Sequence, residues 1–361
     1  MKKPTLFLYC SGIDEVLSGS TKVAGIQVQM SFWAATFVEH GWDVYSFSDK
    51  KKHSINGICF LLQKISWLDR HGLSIIKVPI EAYRVLRKTK ADVVFVRGGQ
   101  RNLYAIRRVC GLLNAKLVFL GASDRDFEPG KELILGANIN LKLYRKALQE
   151  TQYIITQNQF QSDSLYKYYC KKSIIIPNIW PMADIVQCKE KKYVAVWVAN
   201  LRRLKRAEWF LDLVEHLPQY QFAIVGGASE RDYYDKIETQ ASSISNLDFL
   251  GPQSLNAVNA ILSNSKLLVC TSEFEGFPNT FLQAWSQFVP VISTVNPSGA
   301  ITEYGLGKVI ENENELLIAT EELLTSAGLY EQCQENIKTY FLAHHNADIA
   351  YQRIMELIEF K

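Results

Sequence analysis

Cys270-Thr271-Ser272-Glu273-Phe274-Glu275-Gly276-Phe277-Pro278-Asn279-Thr280-Phe281-Leu282-Gln283-Ala284-Trp285 is the stretch whose reading decides the fold. Before it, Lys266-Leu267-Leu268-Val269-Cys270 is a short apolar run that reads as a buried parallel strand. After it, residues 279–288 have helical spacing, with Phe281, Leu282, Trp285 and Phe288 on one side. Pro278 suits the first helical position, where its missing N–H costs nothing. So a strand ends, a tight polar turn carries Glu275 and Gly276, and a helix begins. That geometry points the backbone N–H groups of Gly276, Phe277, Asn279 and Thr280 at one spot, and the helix dipole adds partial positive charge there. An anion is the natural guest, and a phosphate fits best. Glu275 would repel a bare phosphate, but its carboxylate can accept hydrogen bonds from sugar hydroxyls. The inferred ligand is a phosphate joined to a sugar. The competing reading is a capped helix whose Glu275 satisfies only its own first turn.

Working outward, the same strand-loop-helix rhythm fills the second half. Tyr193 to Trp197 is a strand, and Arg206 to His216 is its helix. Gln221 to Val225 empties into Gly226-Gly227, Asn246 to Leu250 into Gly251-Pro252-Gln253, and Pro290 to Ser293 into Asn296-Pro297-Ser298-Gly299. In a parallel sheet these loops share one edge, where ligands collect. Gly226, Gly251, Pro252 and Gln253 are therefore candidates for the binding site. Between the first strand and helix lies Ala199-Asn200-Leu201-Arg202-Arg203-Leu204-Lys205-Arg206. Its cations crowd a helix N-terminus, the wrong pole for positive charge by about 0.3–1 kcal/mol each. An anion bound there would reverse the sign, whereas a solvated charge run leaves the placement unexplained.

The first half has a similar rhythm. Thr5 to Cys10 is a strand, followed by a loop with Gly12, Gly19 and Gly25, a helix from Ile26 to His40, and a strand from Asp43 to Phe47. There is no GxGxxG, so dinucleotide binding has no support. The basic run Lys50-Lys51-Lys52-His53 reads as a solvated loop. A helix from Ser74 to Lys90 carries Arg84, Arg87 and Lys88 near its end, and another between two strands carries Arg101, Arg107 and Arg108. Gly121 to Gly130 follows a strand and includes Ser123 and Asp124. These are candidate contacts to a sugar or acceptor hydroxyl, or simply parts of a turn. After the strand at residues 173–176 the periodicity lapses over residues 179–192, as expected of a linker. The expected division is a first domain at 1–178, a linker at 179–192 and a second domain at 193–344. A C-terminal helix at 345–361 is expected to return to the first domain. The fold class is α/β, two doubly wound parallel sheets facing across a cleft.

A chain of 361 residues suits two domains. Its net charge of +3 is too weak for a nucleic-acid binder but compatible with contact to an anionic membrane surface. Seven cysteines show no CxxC and no Cys/His ligand spacing, and no secretory leader precedes Thr5. Reduced thiols in the cytoplasm are the expectation. No apolar run approaches the ~20 residues of a membrane span. Asp124-Arg125-Asp126 matches DxD only in letters, and no metal is expected.

Glu275-Gly276-Phe277-Pro278-Asn279-Thr280, Ala284-Trp285 and Val289-Pro290-Val291-Ile292-Ser293 together resemble the signature of glycosyltransferase family 4. The resemblance covers the second half and, more loosely, the first. It implies the GT-B fold and retaining transfer of a sugar from a nucleotide diphosphate-sugar to an acceptor hydroxyl. Such a reaction would serve cell-surface polysaccharide or glycolipid synthesis, on a glycan or lipid-linked acceptor, peripherally at the membrane. It makes Glu275, Lys205 and Arg202 the catalytic candidates. It adds Phe277, Pro278, Asn279, Thr280 and Gln283 to the donor site, and places Gly25, Ser123 and Asp124 on the acceptor side. The family's arginine before Lys205 falls here on Asn200, with Arg202 as substitute. Its second glutamate falls on Gln283, and a histidine that many relatives carry near residue 123 is absent. These departures keep two other readings in view: a non-catalytic sugar-nucleotide-binding subunit, and a GT-B sugar-nucleotide epimerase.

Overall fold

The computed structural model describes residues 3–21, 24–62, 74–100, 102–132, 138–181, 190–273, 275 and 277–359. Gly276, Phe274, Arg101 and most of the expected linker lie outside them. The chain divides into two compact units, Met1–Ile179 with Ala347–Lys361, and Trp180–Asn346.

The first unit runs β1 (Thr5–Leu8), α1 (Ile13–Leu17), α2 (Gly25–Glu39), β2 (Asp43–Ser48), β3 (His53–Ile55), β4 (Ile58–Leu62), α3 (Ser74–Thr89), β5 (Val93–Arg97), α4 (Leu103–Leu113), β6 (Lys116–Leu120), α5 (Asn138–Glu150), β7 (Tyr153–Thr156), α6 (Gln159–Tyr169) and β8 (Ile174–Ile175). The sheet order is β3-β4-β2-β1-β5-β6-β7-β8. All pairs are parallel except β3 with β4. Strands covered on both faces by helices read as unbroken apolar runs, and β5 is buried at every position.

Two elements depart from the sequence expectation. The loop after β1 contains α1, a single short helix that opens on Gly12 at φ 81. The basic run expected to be a solvated loop leads into the β3–β4 hairpin, turned by Asn56 at φ 48 and Gly57 at φ 79. Asn-Gly suits such a turn because both central residues need positive φ.

The second unit runs β9 (Tyr193–Val198), α7 (Glu208–His216), β10 (Phe222–Val225), α8 (Arg231–Ala241), β11 (Leu247–Phe249), α9 (Leu255–Ser263), β12 (Ser265–Cys270), α10 (Asn279–Trp285), β13 (Val291–Ser293), α11 (Ala300–Tyr304), β14 (Gly307–Val309), α12 (Glu313–Thr325) and α13 (Ala327–His344). Its sheet is parallel throughout, in the order β11-β10-β9-β12-β13-β14. A core of apolar side chains including Trp197, Phe210, Phe222 and Leu267 lies against it. Helix α14 (Ala347–Leu357) then belongs to the first unit. There Ala350, Tyr351 and Ile354 join the core beside Phe37 and Trp42.

Near the site, two helices start or stop differently from their sequence spacing. Helix α7 begins at Glu208 rather than Arg206, because Arg206 stands at φ 48 after a 3₁₀ turn, Arg203–Lys205. Helix α10 ends at Trp285 rather than Phe288, which takes φ 57. Pro278 precedes α10 as its extended N-cap, at ψ 125, instead of occupying the first helical position.

Candidate active site

The order of the second sheet reverses between β9 and β12, whose chain neighbours lie on opposite sides. A crevice opens at such a point because the loops leaving the two strands part in opposite directions. Here it is a cavity of about 310 Å³. Its walls come from the end of β9 with the turn beyond it (Trp197 to Asn200, Arg202, Lys205), from Ser229, and from the end of β12 through the start of α10.

The loop after β9 is tied down by backbone. Leu201 N–H donates to Gly227 O at 2.8 Å, and Ser229 and Glu230 N–H donate to Leu201 O. A β-carbon on Gly226 would lie 1.8 Å from Ala199 O, so only glycine fits this crossing. Asn200 accepts from Gly227 N–H at 3.3 Å and also lines the cavity. Gly251, at φ 62, accepts from Gly226 N–H, and the Gln253 side chain donates to Leu250 O at 2.7 Å. Gly226, Gly251, Pro252 and Gln253 thus shape the loops beside the cavity rather than forming its walls.

The expected cations separate into four roles. Lys205, only 8% exposed, forms an ion pair with Glu275 in the cavity wall. Arg202 is exposed and lines the same cavity. Arg203 turns outward to Glu230 at 2.9 Å and Asp232 at 2.5 Å. Arg206 donates from Nε to Thr271 O at 2.7 Å and stacks over Trp209.

Glu275 Oε1 also accepts from the Ser272 hydroxyl at 3.1 Å. The ion pair resolves the sequence puzzle of a carboxylate in an anion site. Lys205 offsets the negative charge of Glu275, and Arg202 adds a cation, so the wall remains hospitable to phosphate. Cys270 lines the cavity too, but burial pushes its thiol pKa up, so it is present as a neutral group.

Pro278, Asn279 and Thr280 complete the wall. Phe277 packs its ring 6.1 Å from Trp285 and 5.6 Å from His345, centroid to centroid. Gln283 is 4% exposed and lies outside the lining. Its amide donates to Asn259 Oδ1 at 2.8 Å and Leu255 O at 3.2 Å, bracing α10 against α9. Trp197, Ser229, Thr271 and Ser272 escaped sequence reasoning; the last two are small hydroxyl residues beside the charged motif, with no pattern of their own.

In the first unit, Gly25 opens α2, and Ser123 caps the 3₁₀ turn Asp124–Phe127. Asp124 Oδ1 accepts from Gln161 Nε2 at 3.0 Å and Asn158 Nδ2 at 3.2 Å. Among the described residues, no group of three or more His, Cys, Asp or Glu gathers as a metal site would.

Comparison with known proteins matches residues 179–340 to the family model described as glycosyl transferases group 1. That match covers a little under half of the chain and nearly the whole of the second unit. An uncharacterised glycosyltransferase of Methanocaldococcus jannaschii is 25% identical over 244 residues, 61% of this chain and 59% of that protein. The O-antigen biosynthesis glycosyltransferase WbnH of Escherichia coli is 28% identical over 147 residues, 40% of this chain and 41% of that protein. The chain thus spans about half the length of these curated relatives. The solved structure of Anabaena HepE in complex with UDP-glucose superposes with a TM-score of 0.70 at 15% identity, covering 99% of this chain and 100% of that one. The fold is GT-B, with α/β sheets of eight and six strands, parallel but for the β3–β4 pair.

Proposed function

We propose that the protein transfers a sugar, with retention of anomeric configuration, from a nucleoside diphosphate-sugar to an acceptor hydroxyl. The observation that carries this is the Lys205–Glu275 pair, with Arg202, in the cavity at the strand-order reversal. Transfer leaves a nucleoside diphosphate, whose growing charge needs fixed cations. Lys205 and Arg202 supply them without reorganisation. When the phosphate engages Lys205, Glu275 is released to accept from the sugar's hydroxyls, and its charge is most useful as the sugar gains positive character. Among the described residues of the lining no strong nucleophile stands out, which suits attack on the donor's own face with the departing phosphate as base. The reaction so described needs no metal, and activity should persist in excess chelator.

UDP-hexoses are the first donors to test, since the HepE structure holds UDP-glucose. The O-antigen relative favours a cell-surface glycan or glycolipid acceptor. No helix among the described residues is long and apolar enough to cross a membrane. Contact from one side would use the hollow lined by Lys52, Arg84, Lys88 and Leu62, beside exposed Ile80 and Tyr83. The deciding experiment incubates the protein with UDP-, GDP- and ADP-sugars and a membrane extract. Release of nucleoside diphosphate with an α-linked product from an α-linked donor supports the reading. Binding without turnover would leave a sugar-nucleotide-binding subunit, and sugar isomers formed without acceptor would mean an epimerase.

A further inference from the structure

The turn that presents Lys205 is fastened from behind. Arg206 stands at φ 48, where a residue with a β-carbon is strained and glycine is not. It keeps that conformation while its Nε donates to Thr271 O at 2.7 Å and its guanidinium lies 4.2 Å from the centre of the Trp209 ring. Thr271, fully buried, holds the turn from the end of β12. Its hydroxyl lies 2.7 Å from Lys205 O and 2.8 Å from Arg206 O, sharing one hydrogen between them. The same oxygen accepts from the Trp197 indole N–H at 3.0 Å. The carbonyls on both sides of Arg206, those of Lys205 and of Arg206 itself, are thus bound to the residue that precedes Ser272, which in turn bonds Glu275. Neither Arg206 nor Thr271 lines the cavity.

A strained backbone held by side chains that touch no guest calls for a reason, and the turn they aim supplies one. We propose that Arg206 and Thr271 are positioning residues. They lock the 203–206 turn so that the Lys205 ammonium stands in the cavity wall against Glu275 before a donor arrives. A cation already in place need not be reorganised during the reaction. The idea rests on the reading that Lys205 meets the donor's diphosphate, but its test has an arm that needs no donor.

Arg206→Gly keeps the backbone conformation and removes both anchors. Thr271→Val keeps the shape and removes the hydroxyl, and Thr271→Ser restores it. In the ligand-free protein, acetylation of Lys205 by acetic anhydride, read by mass spectrometry against exposed Lys236, reports how firmly the side chain is held. Arg206→Gly and Thr271→Val should raise it about fivefold, as local opening does, and Thr271→Ser should match wild type. With any nucleotide sugar that wild type turns over, kcat should fall about tenfold in both loosened variants while KM changes less than about threefold. Unchanged Lys205 acetylation in both variants overturns the proposal, and so does a rise in acetylation with unchanged kcat. Should Arg206→Gly fail to fold, Thr271→Val against Thr271→Ser decides alone. If wild type turns over no nucleotide sugar, the donor reading falls while the acetylation arm still judges this one.

Discussion

In the second unit the strand order turns between β9 and β12, and in the first between β1 and β5. At the first of these reversals a cavity of about 310 Å³ stands open, walled by Lys205, Glu275 and Arg202. At the other, the chain's own side chains occupy the loops. Gln27 lies over Gly12 with its amide on Ser11 O at 3.2 Å, and Ile26 would meet any β-carbon on Gly98 at 3.2 Å. Arg97, at the end of β5, is buried, with Nη2 2.5 Å from Asn178 Oδ1. Burial pushes its pKa down to about 10, against the pull of nearby Asp126, so it stays charged at neutral pH. Asp126 is itself buried and accepts from Ala122, Ser123 and Gly99 N–H at 2.7, 3.0 and 3.0 Å. The same topology has been given two uses. Charge left at a cavity wall can act on a guest, whereas charge closed in by backbone donors acts on the fold.

Mutation can break that contrast. Lys205→Ala should lower turnover by roughly 10²–10³, as loss of one fixed charge donor does, while melting stays within about 2 °C of wild type. A wild-type rate would remove Lys205 from the donor's site. Asp126→Ala should do the reverse, since three backbone donors lose their acceptor and buried Arg97 loses a nearby opposite charge. Its expected cost is about 2–4 kcal/mol, read by urea unfolding, and an unchanged midpoint would show that this network does not hold the first unit together.

Gln283 sharpens the comparison within the second unit. A family-based reading has it meeting the donor's ribose, with Gln283→Glu tightening nucleotide affinity. The geometry predicts instead that a carboxylate facing Leu255 O and Asn259 Oδ1 costs about 1–2 kcal/mol of stability. Calorimetric melting and UDP titration of this variant separate the two; tighter UDP binding with unchanged melting would restore the ribose contact.

The smallest effect belongs to neither crevice. Glu313, at the start of α12, has its pKa raised to about 7, first by its hydrogen bond with Asp212 and then by burial. A raised carboxyl pKa means the folded state prefers the proton, so its contribution is present at low pH and fades as pH climbs through about 7. Glu313→Gln should therefore melt roughly 1–3 °C above wild type at pH 8 and match it at pH 4. An equal difference at both pH values would dissociate Glu313 from the titration.

The strands were the most legible feature. The runs read as strands at residues 43–47, 193–197 and 266–270 each fall one residue short of β2, β9 and β12, because a strand covered on both faces is a continuous apolar run. The charged members of the site were legible for a different reason: Lys205, Arg202 and Glu275 stand where folding alone gives no reason for charge. Arg206 was legible only as another cation, because nothing in its letter shows a positive φ. Thr271 and Ser272 carry hydroxyls that any turn would accept. Gln283's role depends on Leu255 and Asn259, contacts that a motif of local spacing cannot reveal. The β3–β4 hairpin was hidden because its Asn56-Gly57 turn follows a lysine run that looks like solvated loop.

Helix α14 has a consequence in time. Its Tyr351 accepts from the Trp42 indole at 3.0 Å and packs against Phe37, and Ile354 and Ile358 are fully buried in the first unit's core. On the ribosome, the first unit must wait for helix α14, made after the whole of the second unit, to close its apolar face. Synthesis order and completion order are therefore opposite. Released chains truncated after residue 346 should yield a protease-resistant second unit and a first unit still open to cleavage; equal resistance of both would show that α14 is dispensable for closing that core.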